Sequence, residues 1–141
     1  MNEKIINEIN QLVADTRDII VCSVDGQGYP NAKAMFKIVH DNLKIFYFST
    51  NTSSLRTQQF MKNPKASLYF CGNEKINGLM LVGEMKVLTD SATKQRFWQD
   101  GWEIYYPKGV ADPDYCILKF TAKKGNYYHA LQKYNFDINI E

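Results

Sequence analysis

The clearest chemical signal in the chain is residues 43–56, where a strand-like run ends in hydroxyl side chains and a helix-like run begins. The hydroxyl groups belong to Ser49, Thr50, Ser53 and Ser54. Arg56 adds a guanidinium in the first turn of the predicted helix. Free N–H groups at a helix start, hydroxyl donors and a guanidinium together suit a phosphate group. An ordinary Ser/Thr helix cap beside a surface arginine has the same sequence, and that interpretation stays open.

A second source of positive charge lies upstream, on the predicted strand 32–39. Alternation of side chains places Lys33 and Lys37 on one face of that strand. Two lysines on one face usually mark a face in contact with solvent. If the strand lies beside the predicted strand 43–49, Lys33 instead points towards the same anion as Arg56.

An aromatic-rich segment follows near the C-terminal third of the chain. Its large rings are Trp98, Trp102, Tyr105, Tyr106 and Tyr115. They could cover a flat aromatic ligand, fill a core or form a subunit interface, and the sequence does not decide between these.

No metal site is expected. The two histidines, His40 and His129, are far apart and lack ligand spacing. The three cysteines, Cys22, Cys71 and Cys116, form no CxxC pair, which favours free thiols in a reducing cytoplasm. The Gly-rich turn 26–31 fails the GxGxxG pattern at its last position, and it is interpreted as a hairpin turn.

Length and composition limit the class of protein. The chain has 141 residues, which predicts one domain over 1–141. Its net charge of +2 argues against nucleic acid, although aromatic residues on a small barrel could stack on bases. No run approaches the roughly 20 apolar residues of a membrane span, and no signal peptide is visible, so we expect a cytoplasmic protein without a membrane partner.

The hydrophobic pattern predicts a mainly β protein, a small β-barrel with flanking helices. The predicted helices cover 4–16, 55–62 and 91–99. The predicted strands cover 19–24, 32–39, 43–49, 65–71, 79–88, 116–121 and 126–129. The first three strands are expected to form an antiparallel meander.

The order of motifs along the chain resembles the pyridoxamine 5′-phosphate oxidase-like, FMN-binding split-barrel superfamily. The motifs are Gly28-x-Pro30, Lys33-x-Met35, Phe48-Ser49-Thr50-Asn51, Ser54-x-Arg56, Asn63-Pro64 and Val82-Gly83-Glu84. The later motifs resemble its general stress protein 26 branch: Phe97-Trp98, Tyr106-Pro107-x-Gly109, Asp112-Pro113-Asp114-Tyr115 and Gly125-Asn126-Tyr127-Tyr128.

This resemblance implies a six-stranded antiparallel split barrel and a homodimer with FMN at the subunit interface. Lys33 would hold the FMN phosphate, with Ser49, Thr50, Ser53, Ser54 and Arg56. The backbone from Ala34 through Met35 to Phe36 would run under the flavin ring, and the partner subunit would cover the other side.

The chain departs from the oxidases at several positions. Ile38 stands where they carry a lysine, and Gly78 where a glutamine contacts the flavin. Arg96 and Asp100 replace their substrate-phosphate tyrosine and arginine, and the oxidases' C-terminal substrate- and flavin-binding segment has no counterpart in the 141 residues. We therefore expect an FMN-dependent oxidoreductase that does not oxidise vitamin B6. A non-enzymatic flavin-binding or stress-associated protein is the alternative, and the sequence does not identify an electron donor or acceptor.

Overall fold

The computed structural model describes residues 1–73 and 76–138. In chain order, the elements are α1 (Glu3–Asp15), β1 (Asp18–Val24), β2 (Pro30–Phe36), β3 (Val39–Asp41), β4 (Ile45–Asn51), α2 (Leu55–Lys62), β5 (Lys65–Cys71), β6 (Gly78–Leu88), α3 (Ser91–Phe97), β7 (Tyr115–His129) and β8 (Gln132–Asp137). Two short 3-10 turns, Trp102–Ile104 and Gly109–Ala111, lie in the connection between α3 and β7.

The eight strands of the described residues belong to one curled antiparallel sheet, which confirms the mainly β fold of the split barrel. The sheet order is β2-β1-β5-β6-β7-β4-β3, and β8 pairs with β7. Six strands have seven residues or more, as expected for a six-stranded barrel. The short β3 and the C-terminal β8 are additions, and the predicted strands 116–121 and 126–129 are both parts of β7.

The predicted meander is wrong. Strand β2 pairs with β1 at one end of the sheet, whereas β4 pairs with β7 and β3 near the other end. The predicted strand 32–39 breaks after Phe36, and the backbone N–H of Ile38 donates to the carbonyl of Tyr47. The chain thereby crosses from β2 to the neighbourhood of β4 without the two strands pairing.

Alternating apolar side chains of the sheet form the main core. Strand β4 buries Phe46 and Phe48, and Phe46 packs against the rings of Phe70 and Phe120. Burying large aromatic side chains of this kind is the main favourable contribution to folding. Helix α1 covers this core with Ile5, Ile9 and Val13, which are spaced for one helix face.

A smaller aromatic cluster lies under the connection between α3 and β7. Its buried members are Phe97, Tyr106, Tyr115 and Ile117. Trp98 packs edge-on against Tyr115, with ring centroids 5.3 Å apart. The connection is therefore anchored from below although it contains little regular structure.

Three further features of the described residues concern membrane-spanning helices, metal sites and cysteines. Within the described ranges, no helix is both long and apolar enough to cross a membrane. The same residues contain no group of His, Cys, Asp and Glu able to hold a metal ion. The three cysteines are free: Cys71 is exposed, Cys22 half-buried and Cys116 buried.

Candidate functional site

A cleft of about 380 Å³ opens between the ends of β2 and β4, the start of α2 and the connection after α3. This volume lies within the range of small-molecule sites. Polar lining comes from Ser49, Thr50, Asn51, Arg56 and Gln99. The remaining lining residues are Phe36, Lys37, Ile38, Trp102, Tyr105 and Tyr106.

Arg56 supplies the positive charge of the cleft. Its Nη2 donates to Thr50 Oγ1 at 3.2 Å, and its Nε lies 3.3 Å from Met35 Sδ. Burial lowers the pKa of the guanidinium, and the nearby Tyr106 opposes that shift, so Arg56 stays cationic at neutral pH. Neither ion pair found among the described residues involves Arg56. A half-buried guanidinium without a carboxylate partner suits an anionic ligand.

Hydroxyl groups stand beside this guanidinium. Thr50, buried at the end of β4, already contacts Arg56. Burial raises the pKa of the Tyr106 phenol, and the neighbouring Ser49 hydroxyl opposes part of this shift. The phenol is therefore neutral at physiological pH. The cleft offers a cation and neutral hydroxyl groups, which is a donor set that fits a phosphate monoester.

The start of α2 is organised by the chain's own groups. Ser54 is the N-cap, and its Oγ accepts from the backbone N–H of Thr57 at 3.3 Å. The Asp114 carboxylate accepts from the Ser53 backbone N–H at 2.8 Å and from Asn51 Nδ2 at 2.9 Å. Ser54 therefore acts as an ordinary helix cap. The Asp114 carboxylate accepts the Ser53 N–H that a bound anion would otherwise use.

The residues of β2 reach the cleft through Met35 and Phe36. Met35 is buried and touches Arg56, whereas Phe36 lines the cleft and stays exposed. Lys33 and Ala34 are exposed on the same strand and do not line the cleft. Alternation places Lys33 on the face of Met35, which points it towards the Arg56 side of the strand.

Lys37 binds the end of α1, although its position on the predicted strand suggested a side chain in contact with solvent. Its backbone lies at the cleft, but its Nζ donates to the carbonyl of Val13 at 2.5 Å and lies 3.4 Å from that of Thr16. Cations stabilise helix C-termini, so Lys37 anchors the end of α1. Burial lowers its pKa, and Asp15 opposes this shift.

Sequence reasoning missed two parts of the site. Asp114 is 61 residues from Ser53, and no local pattern indicates their contact. The aromatic segment was visible in the sequence, but the sequence did not show which of its rings are buried and which line the cleft. Tyr106 and Tyr115 fill the core, whereas Tyr105 is 65% exposed at the cleft. The density of aromatic residues was the available signal.

Comparison with known proteins agrees with this fold. The family model described as "Pyridoxamine 5'-phosphate oxidase like" matches residues 4–140. A crystal structure from Clostridium acetobutylicum is 47% identical, with a TM-score of 0.87 over 98% of this chain and 97% of that one. It is described as a protein related to general stress protein 26 of B. subtilis, of the pyridoxinephosphate oxidase family.

Two more distant relatives are informative. General stress protein 26 from Bacillus anthracis shares the fold, with 16% identity and a TM-score of 0.75 over 95% of this chain and 98% of that one. A pyridoxine/pyridoxamine 5′-phosphate oxidase from Pseudoalteromonas translucida is 31% identical over 83 residues, or 59% of this chain. That match spans only 39% of the oxidase. The chain therefore belongs to the pyridoxamine 5′-phosphate oxidase-like family and is related to its general stress protein 26 members.

Proposed function

We propose that the protein is an FMN-binding flavoprotein that works as an oxidoreductase. The observation that carries this proposal is the half-buried Arg56, which faces the cleft with hydroxyl groups beside it and no carboxylate partner among the described residues. Five N–H groups belong to a guanidinium, and the contacts to Met35 and Thr50 use two of them. The others are available for a phosphate.

The residues of the cleft divide the work of binding. Arg56, Thr50 and Ser49 would hold the phosphate, with Lys33 as a second cation from β2. The backbone from Ala34 to Phe36 would run under the flavin ring. Ser53 and Ser54 would contribute indirectly, by shaping the start of α2. When bound, FMN would supply hydride or electron transfer, and the protein would orient and shield it.

A homodimer is part of this proposal. The outward side chains of β1, β5 and β6 include an apolar patch in which Ile20, Tyr69 and Met80 are neighbours. Charged residues, among them Lys65 and Glu84, lie on the same face. Tyr69 and Met80 are each 39% exposed, and a groove of about 400 Å³ opens on the same face. Large exposed apolar faces mark interaction sites. Phe36 connects this face to the cleft, so a second copy docked there would close the flavin site.

The proposed compartment is the cytoplasm. Cys22, Cys71 and Cys116 are free thiols, as expected there.

Oxidation of vitamin B6 is not expected. The Arg96 guanidinium lies over the rings of Phe97 and Tyr47, at 4.6 and 5.5 Å, and this arrangement leaves it outside the cleft. Pyridoxamine 5′-phosphate should give negligible hydrogen peroxide.

A non-enzymatic flavin-binding role is the second candidate. Arg56 and Tyr106 are two of the ionisable groups that line the cleft, and both keep one charge state at neutral pH. Such groups bind a ligand well but do not exchange protons near pH 7. Steady oxidation of NADH or NADPH by the FMN-loaded protein would identify an enzyme, and no turnover would identify a binder.

The test of the proposed site uses two ligands that differ only in the phosphate. FMN and riboflavin are titrated by fluorescence quenching against the wild type, Arg56→Ala and Lys33→Ala. Because hydrogen bonds between charged groups contribute about 1.5–3 kcal/mol, each variant should lose roughly 10- to 100-fold in FMN affinity. The two losses should be non-additive if both cations hold the same phosphate.

The control variant is Lys62→Ala, which removes an exposed cation at the other end of α2. It should bind FMN as the wild type does, and riboflavin should be indifferent to all of these changes. If Arg56→Ala keeps full FMN affinity, or loses riboflavin equally, the cleft is not the phosphate site. Absence of the two visible flavin bands from protein that has been incubated with FMN and then separated from unbound FMN would overturn the proposal altogether.

A further inference from the structure

The cleft has two unlike sides. One side carries Arg56, Thr50 and Ser49, and the Tyr106 phenol lies beside Ser49. The other side is formed by residues 99–105, which follow α3. Trp102 and Tyr105 have ring centroids 6.2 and 6.3 Å from that of Tyr106. These two rings therefore stand next to the phosphate side without belonging to it.

The lining side chains of the second side include no cation, and the segment that carries them is acidic. Between Gln99 and Tyr106 the chain contains Asp100 and Glu103 and no lysine or arginine. The cations that flank this segment in the sequence, Lys94, Arg96 and Lys108, do not line the cleft. Lys94 donates to the carbonyl of Asp112 at 2.9 Å, and Arg96 lies over aromatic rings. Lys37 lines the cleft, but its ammonium is bound at the end of α1.

Among the described residues that line the cleft, Arg56 therefore presents the one available cation. A phosphate bound there uses that charge fully. A second phosphate group would find no further free cation among the described residues that line the cleft, and Asp100 and Glu103 add negative charge to the segment that forms its second side.

The exposed groups of the second side suit a flat neutral molecule. The Tyr105 ring is 65% exposed, and the Trp102 ring is partly exposed. Aromatic faces stack on planar ligands, and the neutral Gln99 amide both donates and accepts hydrogen bonds. The fold holds the segment firmly, since the Trp102 ring packs 6.0 Å from that of the buried Tyr115.

We propose that the wall formed by Gln99, Trp102 and Tyr105 binds a second ligand that is planar, aromatic and free of phosphate, beside the flavin. This inference rests on the proposed function, because it places the FMN phosphate at Arg56. It names the class of molecule that would meet the flavin: an uncharged aromatic compound, in contrast to a phosphorylated vitamin.

The experiment uses a matched pair of probes, 1-naphthol and 1-naphthyl phosphate, which differ by one phosphate group. Each is titrated by calorimetry into the FMN-loaded protein, so that the Arg56 side is already filled. We expect 1-naphthol to bind about tenfold more tightly or better, the equivalent of 1.4 kcal/mol. Equal affinities, or no binding of 1-naphthol, would overturn the inference.

Neighbouring side chains supply the variants. Tyr105→Ala should weaken 1-naphthol about fivefold or more, by loss of ring stacking of a size typical for aromatic pairs. Ile104→Ala is the control, since Ile104 is 80% exposed on the same turn but does not line the cleft. It should leave both probes unchanged. An equal effect of the two variants would contradict the assigned wall.

A gain-of-function variant tests the charge argument directly. Gln99→Arg places a cation on the second side and should raise the affinity of the FMN-loaded protein for 1-naphthyl phosphate about fivefold or more. If it does not, charge is not what excludes the phosphate. If FMN binds through Arg56 and these tests fail, the inference alone is wrong. If the protein takes up no FMN, the proposed function and the inference both fail.

Discussion

The Nε of Arg56 lies 3.3 Å from the sulfur of Met35, and this contact joins α2 to β2 beside the cleft. The two strands flanking the cleft do not pair, so the sheet alone does not bring β2 to the end of β4. The buried Met35 side chain bridges them, and the Arg56 guanidinium extends from it to Thr50. The orientation of the cation thus depends on a core side chain of another element.

Met35→Leu tests this dependence. Leucine replaces methionine in a core with little loss of stability, but it offers no sulfur acceptor. FMN affinity should fall roughly two- to tenfold, the equivalent of one hydrogen bond of about 0.5–1.5 kcal/mol. Riboflavin affinity, measured by the same fluorescence titration, should change little. An unchanged FMN affinity would show that Arg56 orients itself without Met35.

The bounds of α2 were predictable because its signals are local. Ser54 caps the helix and Asn63-Pro64 ends it, so the predicted range 55–62 coincides with the observed one. The pairing of β4 was not predictable in this way, because its partners on β7 are about 70 residues away. Reasoning from neighbouring segments placed it beside β2, where the chain in fact breaks at Lys37.

The C-terminal strand β8 escaped prediction for a different reason. It reads Gln-Lys-Tyr-Asn-Phe-Asp, without a β-branched residue. Only Tyr134 and Phe136 are half-buried, and they pack on the core edge as β8 pairs with β7. The candidate site shows the same division: the hydroxyl run and Arg56 were visible locally, whereas Asp114 at the helix start was not.

Asp114 should make the protein sensitive to acid. The Ser53 backbone hydrogen bond, with support from Asn51, lowers the pKa of this carboxyl below its ordinary 3.8. A lowered pKa in the folded state stabilises the protein above the unfolded-state pKa, and this contribution is lost as the pH falls through the folded-state value. Asp114→Asn also loses the bond from Asn51 Nδ2, because an amide nitrogen cannot accept it.

Thermal melts at several pH values measure this effect. Asp114→Asn should have a lower Tm than the wild type at pH 7, and the difference should shrink as the pH drops below about 4. Asp100→Asn, at an exposed position, is the matched control and should melt as the wild type does. If the Tm difference stays constant from pH 7 to pH 3, the lower stability of Asp114→Asn does not come from the lost carboxylate charge.

Gly83 is predicted to be irreplaceable in β6. The register of β6 on β7 shifts between Val82 and Gly83, and an added Cβ would overlap the backbone carbonyl oxygen of Thr121. Backbone cannot move aside as a flexible side chain does. Gly83→Ala should therefore cost at least about 1–3 kcal/mol in the free energy of unfolding by urea. Gly26→Ala, where a Cβ meets open space, should stay within about 0.5 kcal/mol.

The proposed dimer makes the last prediction. Stable homodimer interfaces often bury about 2,000 Å² or more, and we place this interface on the outward face of β1, β5 and β6, around the apolar patch of Ile20, Tyr69 and Met80. Met80 lies on this face opposite Tyr69, so Met80→Lys would bury a charge in the interface. Light scattering should give twice the 16.3 kDa chain mass for the wild type and a single chain mass for Met80→Lys. Met61→Lys, at an exposed position on α2, is the control and should remain dimeric.

Because the second copy would close the flavin site, Met80→Lys should also bind FMN more weakly while its circular dichroism spectrum stays that of the wild type. A wild type that scatters as one chain, or a Met80→Lys variant that stays dimeric, would place the interface elsewhere or remove it.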